Sequence, residues 1–596
     1  MLAAFTACTK ILDTTPYNQV ATTNMWTTEN LTDQGVAGIY SALRNWGPYN
    51  GGFTATFGFE SWGMSGQHQY REALLNGTVN TGYYAFRDTW KKLYEGIHRA
   101  NDAIANIPAK SPISDTKKAR LVGEAKFLRA FFYSRLNELY RGVPYYDTPV
   151  SVEECIKGQE TEEKIWEYVI QDLTDCINEP NFPNNDFIEG RATKGAAYAL
   201  RGKAYLQLKE WGKAASDFEQ VGKCGYSLFQ GGYQQLFYEA NERCPEMIFS
   251  VQNTGDVGYG NLSQKYCGTR SAHSTIGTNS WGDYQVSPDV VDLYENADGT
   301  AFNWDNIIPG YTTMPVADRE VYFLRDTLNA DGTRKHPTIT KNVQARLTAI
   351  GAAASNYLPY GNEDRIKKAY ENRDPRLQMN VITPYYGVFR GYDGANPPQE
   401  VDLISRWPLF GSSSHVSATG FNDLAVNAAA YLYYFHRKFV YEGVNTVDRE
   451  NCPTDEPLIR YADVLLMWAE ALVEQNLLDD ATGAASKLNM VRQRASVNLP
   501  KVVYTNQDDL REKIRNERRR EFVNEGINFF DEMRWKTLKE TKFKGGTNGA
   551  AQVVWGALGN AGAYSWPANN NLYVWPVPIA EIEKNSNLTK TPGWDY

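Results

Sequence analysis

Histidine is scarce in this chain. The 596 residues include six, and no two lie within four positions of each other. Zinc hydrolases of the H-E-x-x-H type are therefore excluded, because they need two imidazoles on one helical face. Cysteine is nearly as rare. None of the seven forms a C-x-x-C pair, which excludes zinc knuckles and thioredoxin-type redox motifs. No G-x-S-x-G elbow appears, and the Gly-rich run at 47–52 lacks the lysine of a phosphate loop. No window holds the ~18 apolar residues of a spanning helix. The formal net charge is -9 and no basic stripe stands out, so nucleic acid is not an expected partner. No cofactor or metal is indicated, and a structural calcium ion is not readable from such a sequence.

What the chain has in excess is tryptophan and tyrosine: 15 Trp and 38 Tyr against 25 Phe. Both side chains join a flat apolar face to a polar edge, which suits half-wet binding surfaces as well as partly buried packing. Charged residues make up 22% and hydrophobic residues 42%, a globular composition.

Helical periodicity is clear at both ends of the chain. Val36, Ile39, Tyr40 and Leu43 mark one face of a helix near 30–45. Further helices are expected at 90–107, at 115–140 and from about 160. A helical hairpin is expected over 193–221, where Gly202, Tyr205, Ala214 and Phe218 alternate small and aromatic residues as in a tetratricopeptide repeat. Ala469, Leu472, Ala481, Ala485 and Leu488 repeat the pattern. Helices at 458–475, 481–495 and 510–525 complete the set. Between them, residues 46–84 and about 230–448 show no sustained period and are dense in Gly, Asn, Tyr and Trp. Short apolar runs there, such as Met247–Val251, read as strands. The expected fold is mainly α: a tetratricopeptide-like helical scaffold at about 20–229 and 449–540, a large irregular lobe at about 230–448, and an extended segment at 541–596.

Residues 1–8 form a short apolar stretch closing on small residues and Cys8. That is the tail of a bacterial lipoprotein signal, in which the cysteine is acylated after cleavage. A basic leader is missing, and Phe5 stands where leucine is usual, so the true start is expected upstream. Export permits disulfides among Cys155, Cys176, Cys224, Cys244, Cys267 and Cys452, but spacing cannot choose a pairing.

A set of blocks then runs the length of the chain. Cys8 is followed by Leu12-Asp13 and Trp26. Trp90-x-x-x-Tyr94-x-x-Ile97 leads to Glu124-Ala125-Lys126-Phe127-Leu128-Arg129 and Gly142-Val143-Pro144. Later come Asp374-Pro375-Arg376-Leu377, Arg437-Lys438-Phe439 and Arg460-Tyr461-Ala462-Asp463. Glu517-Arg518-Arg519-Arg520-Glu521-Phe522, Glu525-Gly526 and Phe530-Asp531-Glu532-Met533-Arg534-Trp535 follow. The chain closes with Trp575-Pro576-Val577-Pro578 and Pro592-Gly593-Trp594. In order and number these blocks resemble the SusD/RagB family of Bacteroidetes surface lipoproteins. The resemblance implies lipid anchorage through Cys8 on the outer face of the outer membrane. It implies a SusC-like TonB-dependent transporter as partner, and an oligosaccharide, or in a RagB-like minority a peptide, as cargo. On plain physical grounds, Glu517 to Glu525 read as a salt-bridge-laced helix, and Arg460, Asp463, Glu470 and Arg492 as a polar network between helices.

A sugar site wants a flat aromatic platform ringed by hydrogen-bonding side chains. Two segments offer this. Residues 57–71 give Trp62 and Tyr70 as platforms with Gln67 and Arg71 as partners. Residues 280–284 give Trp281 with Asp283, and Tyr284 in a secondary role. Arg390 and Tyr392 form a third candidate, and Trp46 and Trp407 are outlying ones. Each tryptophan has the competing reading of packing its own loop. Two rival functions remain. A glycosidase would need paired carboxylates, for which Glu60, Asp283 and Asp393 are the available residues. A repeat scaffold would instead bind protein on a helical face.

Overall fold

The computed structural model describes residues 22–44, 55–68, 73–268, 280–323, 362–385, 389–392, 400–403, 434–442, 447–544, 550–554, 558–567 and 571–596, with a few single residues between 345 and 355. Cys8, Trp46, Tyr70, Arg71, Asp393 and Trp407 lie outside the described residues. The architecture is mainly helical. After a single turn, α1 (Thr22–Met25), come α2 (Glu29–Ala42), α3 (Ala55–Trp62), β1 (Gly66–His68) and α4 (Ala73–Asn76). Then follow α5 (Tyr84–Lys110), α6 (Asp115–Tyr140), α7 (Glu162–Asn178), α8 (Lys194–Gln207) and α9 (Trp211–Lys223).

These helices begin where the sequence supplies caps. The hydroxyls of Thr28, Ser114, Thr161 and Thr193 accept hydrogen bonds from the amides three residues on, satisfying N–H groups that the first turn leaves open. α6 stops at Arg141, whose φ of 53° is left-handed, and at Gly142, whose amide donates to Asn137 Oδ1.

The helices stack in series: α5 on α2 and α6, α6 on α7, α7 on α8, and α8 on α9. Close approach depends on glycine facing aromatic. A Cβ on Gly202 would stand 2.5 Å from the Phe218 ring, and one on Gly96 would stand 2.5 Å from Phe132. The Gly202–Phe218 contact is the one expected of the 193–221 hairpin.

The middle of the chain holds short elements. These are β2 (Met247–Val251), α10 (Ser263–Cys267), β3 (Tyr284–Val286), α11 (Pro288–Leu293), α12 (Val316–Arg319), α13 (Asn362–Tyr370) and α14 (Pro375–Asn380). The strands β4 (Val381–Ile382), β5 (Phe389–Tyr392), β6 (Glu400–Leu403), β7 (Phe435–His436) and β8 (Glu456–Arg460) follow. A second apolar cluster gathers there around Val286, Tyr294, Trp304, Tyr311, Leu377 and Tyr434. The scaffold resumes with α15 (Tyr461–Glu474), α16 (Ala484–Arg492), α17 (Gln507–Glu521), α18 (Ile527–Trp535) and α19 (Leu538–Thr541). β9 (Ala550–Val554), β10 (Leu558–Tyr564) and α20 (Ile579–Lys584) close the chain.

Three expectations need correction. Residues 46–84 contain a helix, α3, that periodicity missed. From Phe57 to Trp62 every side chain is buried, so no polar face alternates with an apolar one. Residues 456–460 form a strand rather than the first turn of a helix. β8 pairs antiparallel with β2, which brings Arg460 to 2.7 Å from Glu246.

The third concerns Glu517 to Glu525, whose salt bridges run mostly to other elements and less along their own helix. Glu517, Arg518, Arg519, Arg520 and Glu521 are all buried. Their partners come mostly from other elements: Arg376 bridges Asp374, Glu517 and Glu521, Arg518 reaches Asp463 and Asp531, and Arg494 reaches Glu246 and Glu521. Charges so buried are held only because each carboxylate meets several donors. The expected participation of Arg460, Asp463, Glu470 and Arg492 in buried polar contacts is observed. The six described cysteines are free thiols, with Cys155 exposed.

Candidate functional site

The two aromatic segments singled out in the sequence meet in space. β1 and β3 pair antiparallel, with Gln67 opposite Gln285 and His68 opposite Tyr284. The turn between α3 and β1 is clamped from below. Glu60 accepts from Ser65 Oγ at 2.6 Å, from the Asn524 amide at 2.9 Å and from the Gly526 amide at 3.0 Å. Glu532 accepts from the Met64 amide at 3.1 Å, and Lys542 Nζ donates to the Gly66 carbonyl at 2.6 Å. Burial pushes the Glu532 carboxyl up to about 7 and the Lys542 ammonium down to about 7. Glycine at 66 is obligatory, because a Cβ there would stand 2.3 Å from the Glu60 carbonyl oxygen.

From this base an aromatic ladder climbs to the surface. The His68 and Tyr284 rings lie 4.5 Å apart, and Phe57 backs Tyr284 at 5.9 Å. Tyr266 stands 6.2 Å from Tyr284 and meets Trp281 edge-on at 5.3 Å. Trp281 is the outermost rung, 39% exposed. Its amide donates to the Lys265 carbonyl at 2.6 Å, and Lys265 Nζ sits 4.3 Å from its ring centroid. Lys265 in turn pairs with Glu450 at 2.8 Å. The indole is thus held by a cation at close range and by an edge-on ring, so its orientation is set before any ligand arrives.

The candidates sort by burial. Trp62 is fully buried against Phe59, Phe529 and Trp575 and offers no platform; it belongs to the core. Gln67 is buried and its Oε1 accepts from the Tyr564 hydroxyl, so it supports the site from within. Asp283 and Tyr284 are also buried, at 8% and 3% exposure. Arg390 and Tyr392 lie in β5, opposite Asp402 and Glu400 of β6 in a strand pair.

Sequence reasoning missed Lys265 and Tyr266. They sit on a five-residue helix too short to carry a period. It also missed Tyr259, 63% exposed, on a loop stapled to the same 448–452 segment that Lys265 reaches. There the Gly258 amide donates to Asn451 Oδ1 at 2.9 Å and the Asn261 amide to the Cys452 carbonyl at 2.8 Å. Among the described residues no cluster of His, Cys, Asp or Glu is arranged to hold a metal ion, and no helix is long and apolar enough to cross a membrane.

Comparison with known proteins supplies the context. Residues 245–594 match the model of the SusD family, and residues 10–206 match one described as starch-binding associating with outer membrane. SusD-like protein P38 of Formosa agariphila is 23% identical over 579 residues, 93% of each chain. SusD-like protein P25 of the same organism is 26% identical over 326 residues, which is 50% of this chain and 61% of that relative's length.

Among solved structures, a SusD-like protein from Bacteroides fragilis superposes with a TM-score of 0.71 at 23% identity, covering 96% of this chain and 98% of that one. A SusD-like carbohydrate binding protein from the same species gives 0.70 at 23%, covering 95% and 100%. Surface glycan-binding protein A from Bacteroides thetaiotaomicron, in complex with laminarihexaose, gives 0.58 at 17%, covering 95% and 99%. At these identities the structural likeness establishes the fold.

Proposed function

The chain belongs to the SusD family, and from that premise we propose that it is a non-catalytic, lipid-anchored protein of the outer membrane that captures oligosaccharide at the Trp281 surface and passes it to a SusC-like TonB-dependent transporter. The observation that carries the reading is Trp281 itself: an exposed indole, held by Lys265 and Tyr266, at the head of a ladder rooted in the core. Such a ring offers a fixed apolar face to the C–H face of a pyranose at little ordering cost. Relatives whose names or bound ligand are carbohydrate support the choice of cargo. Tyr70 and Arg71, which follow His68 in the chain, and Arg390 and Tyr392 are kept as proposed contacts. Cys8 is the proposed acylation site, and no cofactor is required.

The non-catalytic reading rests on the carboxylates. A glycosidase needs two of them facing the scissile bond. Glu60 is buried with its oxygens engaged by Ser65, Asn524 and Gly526, and Asp283 is buried as well.

The test is a panel of polysaccharides in native retardation gels, with a reducing-end assay on the same mixtures. The proposal predicts retention by at least one glycan, weakened in Trp281→Ala, with no new reducing ends. Binding of peptides but of no glycan would transfer the reading to peptide uptake. Release of new ends would overturn the non-catalytic claim.

A further inference from the structure

A large cleft among the described residues lies elsewhere, on the helical scaffold. It encloses about 1120 Å³ between α5, the segment 144–156 and the end of the chain around α20. Its floor is apolar and ringed: Trp90, Tyr94, Ile97, Tyr146 and Leu588. Several polar groups of that floor are already engaged. The Tyr94 hydroxyl donates to the Pro144 carbonyl at 2.7 Å, and the Tyr146 hydroxyl accepts from the Lys157 amide at 3.1 Å. Asn101 Nδ2 donates to the carbonyls of Tyr146 and Thr148, and its Oδ1 accepts from Arg129. Asn585 Nδ2 donates to the Lys157 carbonyl, and its Oδ1 accepts from the Asn587 amide. A ligand lying on this floor therefore meets it through apolar faces.

The rim has the opposite character. It carries charges of both signs, and several are paired: Arg87 with Asp88 at 2.8 Å, Lys584 with Glu581 at 3.0 Å and Lys92 with Glu95 at 3.3 Å. Donors and acceptors are plentiful there, but no field of one sign selects an ion. One wall is the segment 149–155, held at both ends. Asn101 and Arg129 hold the carbonyls of 146–148, and Asn585 and Asn587 hold those of Lys157 and Ile156. Val152 and Ile156 stand out from this wall, 85% and 54% exposed. The wall's backbone turns on itself, with the Glu154 amide donating to the Ser151 carbonyl and the Cys155 amide to that of Val152. It offers no extended edge to which a peptide strand could add.

An apolar ringed floor beneath a neutral rim of donors and acceptors matches a ligand with two apolar faces and an equator of hydroxyls. We propose that this cleft is a second saccharide site, taking a neutral oligosaccharide and acting with the Trp281 surface to hold one polymer at two points. The inference rests on the reading that the chain binds glycans. Two linked sites raise the hold on a polymer far above that of either, without any new contact.

The test uses the full chain and a panel of neutral glucose hexasaccharides with α-1,4, β-1,4 and β-1,3 linkages, followed by calorimetry. V152D/I156D introduces charge into the wall at exposed positions, where folding is unaffected. The expected result is two hexasaccharides per wild-type chain, one per chain for V152D/I156D, one for Trp281→Ala and none for the combination. Retention of the matching polymer should fall about tenfold or more in V152D/I156D. One hexasaccharide per wild-type chain, lost in Trp281→Ala, would overturn the second site and leave the proposed function standing. Two sites unchanged by V152D/I156D, or displacement of the sugar by an apolar peptide, would also overturn it. No binding of any panel glycan by the wild type would remove both readings together.

Discussion

Two tryptophans each followed directly by glycine look alike in a sequence, and in this chain they have opposite fates. Trp62 and Trp281 both sit in Gly- and aromatic-rich stretches, and both read as platforms. Burial separates them: Trp62 closes the core between Phe59, Phe529 and Trp575, while Trp281 stands 39% exposed. The two substitutions should therefore part company. Trp62→Ala is expected to cost about 3–5 kcal/mol of stability through the cavity it leaves. Trp281→Ala should stay within about 0.5 kcal/mol, as exposed positions do, while lowering glycan affinity at least tenfold. Urea unfolding of both variants beside calorimetry with a bound glycan checks this. Equal stability losses would show that Trp281 is structural.

At the scale of elements, what the sequence disclosed and what it hid follow one rule. Helices with one buried face, such as α2, α7 and α8, carried a visible period and a capping hydroxyl. α3, buried from Phe57 to Trp62, carried no period. α3 is apolar and aromatic from Phe57 to Phe59 and from Trp62, with Glu60 and Ser61 buried between. α10, which bears Lys265 and Tyr266, is too short for a period at all. The candidate site was thus legible as two aromatic segments, but its pairing through β1 and β3 was not, because three-residue strands leave no alternation to read.

Two predictions belong here. Gly66→Ala places a Cβ against the Glu60 carbonyl, so it should lower the melting temperature and weaken glycan binding together, by displacing β1 from β3. Unchanged values of both would show that the α3–β1 turn is slack. Gly202→Val should force α8 away from α9 at Phe218, costing about 1–3 kcal/mol while leaving glycan affinity unchanged, as unfolding and binding measured side by side would reveal.

The same helices supply a pH dependence. Burial alone would raise the Glu138 carboxyl, but Lys203 and Arg135, each 2.8 Å away, outweigh it and hold it at about 2, below its ordinary 4.5. The folded-state value is depressed, so the stabilisation is fully present above about 4.5 and is lost as pH falls toward 2. It is on the order of 3 kcal/mol. Glu138→Gln should be less stable than wild type at pH 6, with the gap closing by pH 2.5 in urea titrations. A gap independent of pH would contradict the assignment.

For the whole molecule, charge and aromatics divide the labour. Buried ion pairs around Arg376, Arg460 and Glu521 tie α17 to β8 and α14, fixing the middle of the chain against the helical scaffold. The extended end of the chain runs back over α5 and α6, where the Trp575 amide donates to the Leu139 carbonyl at 2.8 Å and Trp594 packs on Phe86. A scaffold so cross-braced suits a protein that holds a ligand without changing it. Blocks spread from Cys8 to Trp594 made that scaffold legible in the sequence. The ligand surface was less so, because its composition fits loop packing as well as binding.

The most direct test of the central claim is native retardation of wild type and Trp281→Ala on the same polysaccharide panel. The account predicts retention of the wild type by at least one glycan and clearly weaker retention of Trp281→Ala with an unchanged melting temperature. Equal retention of the two, or no retention of either, would contradict it.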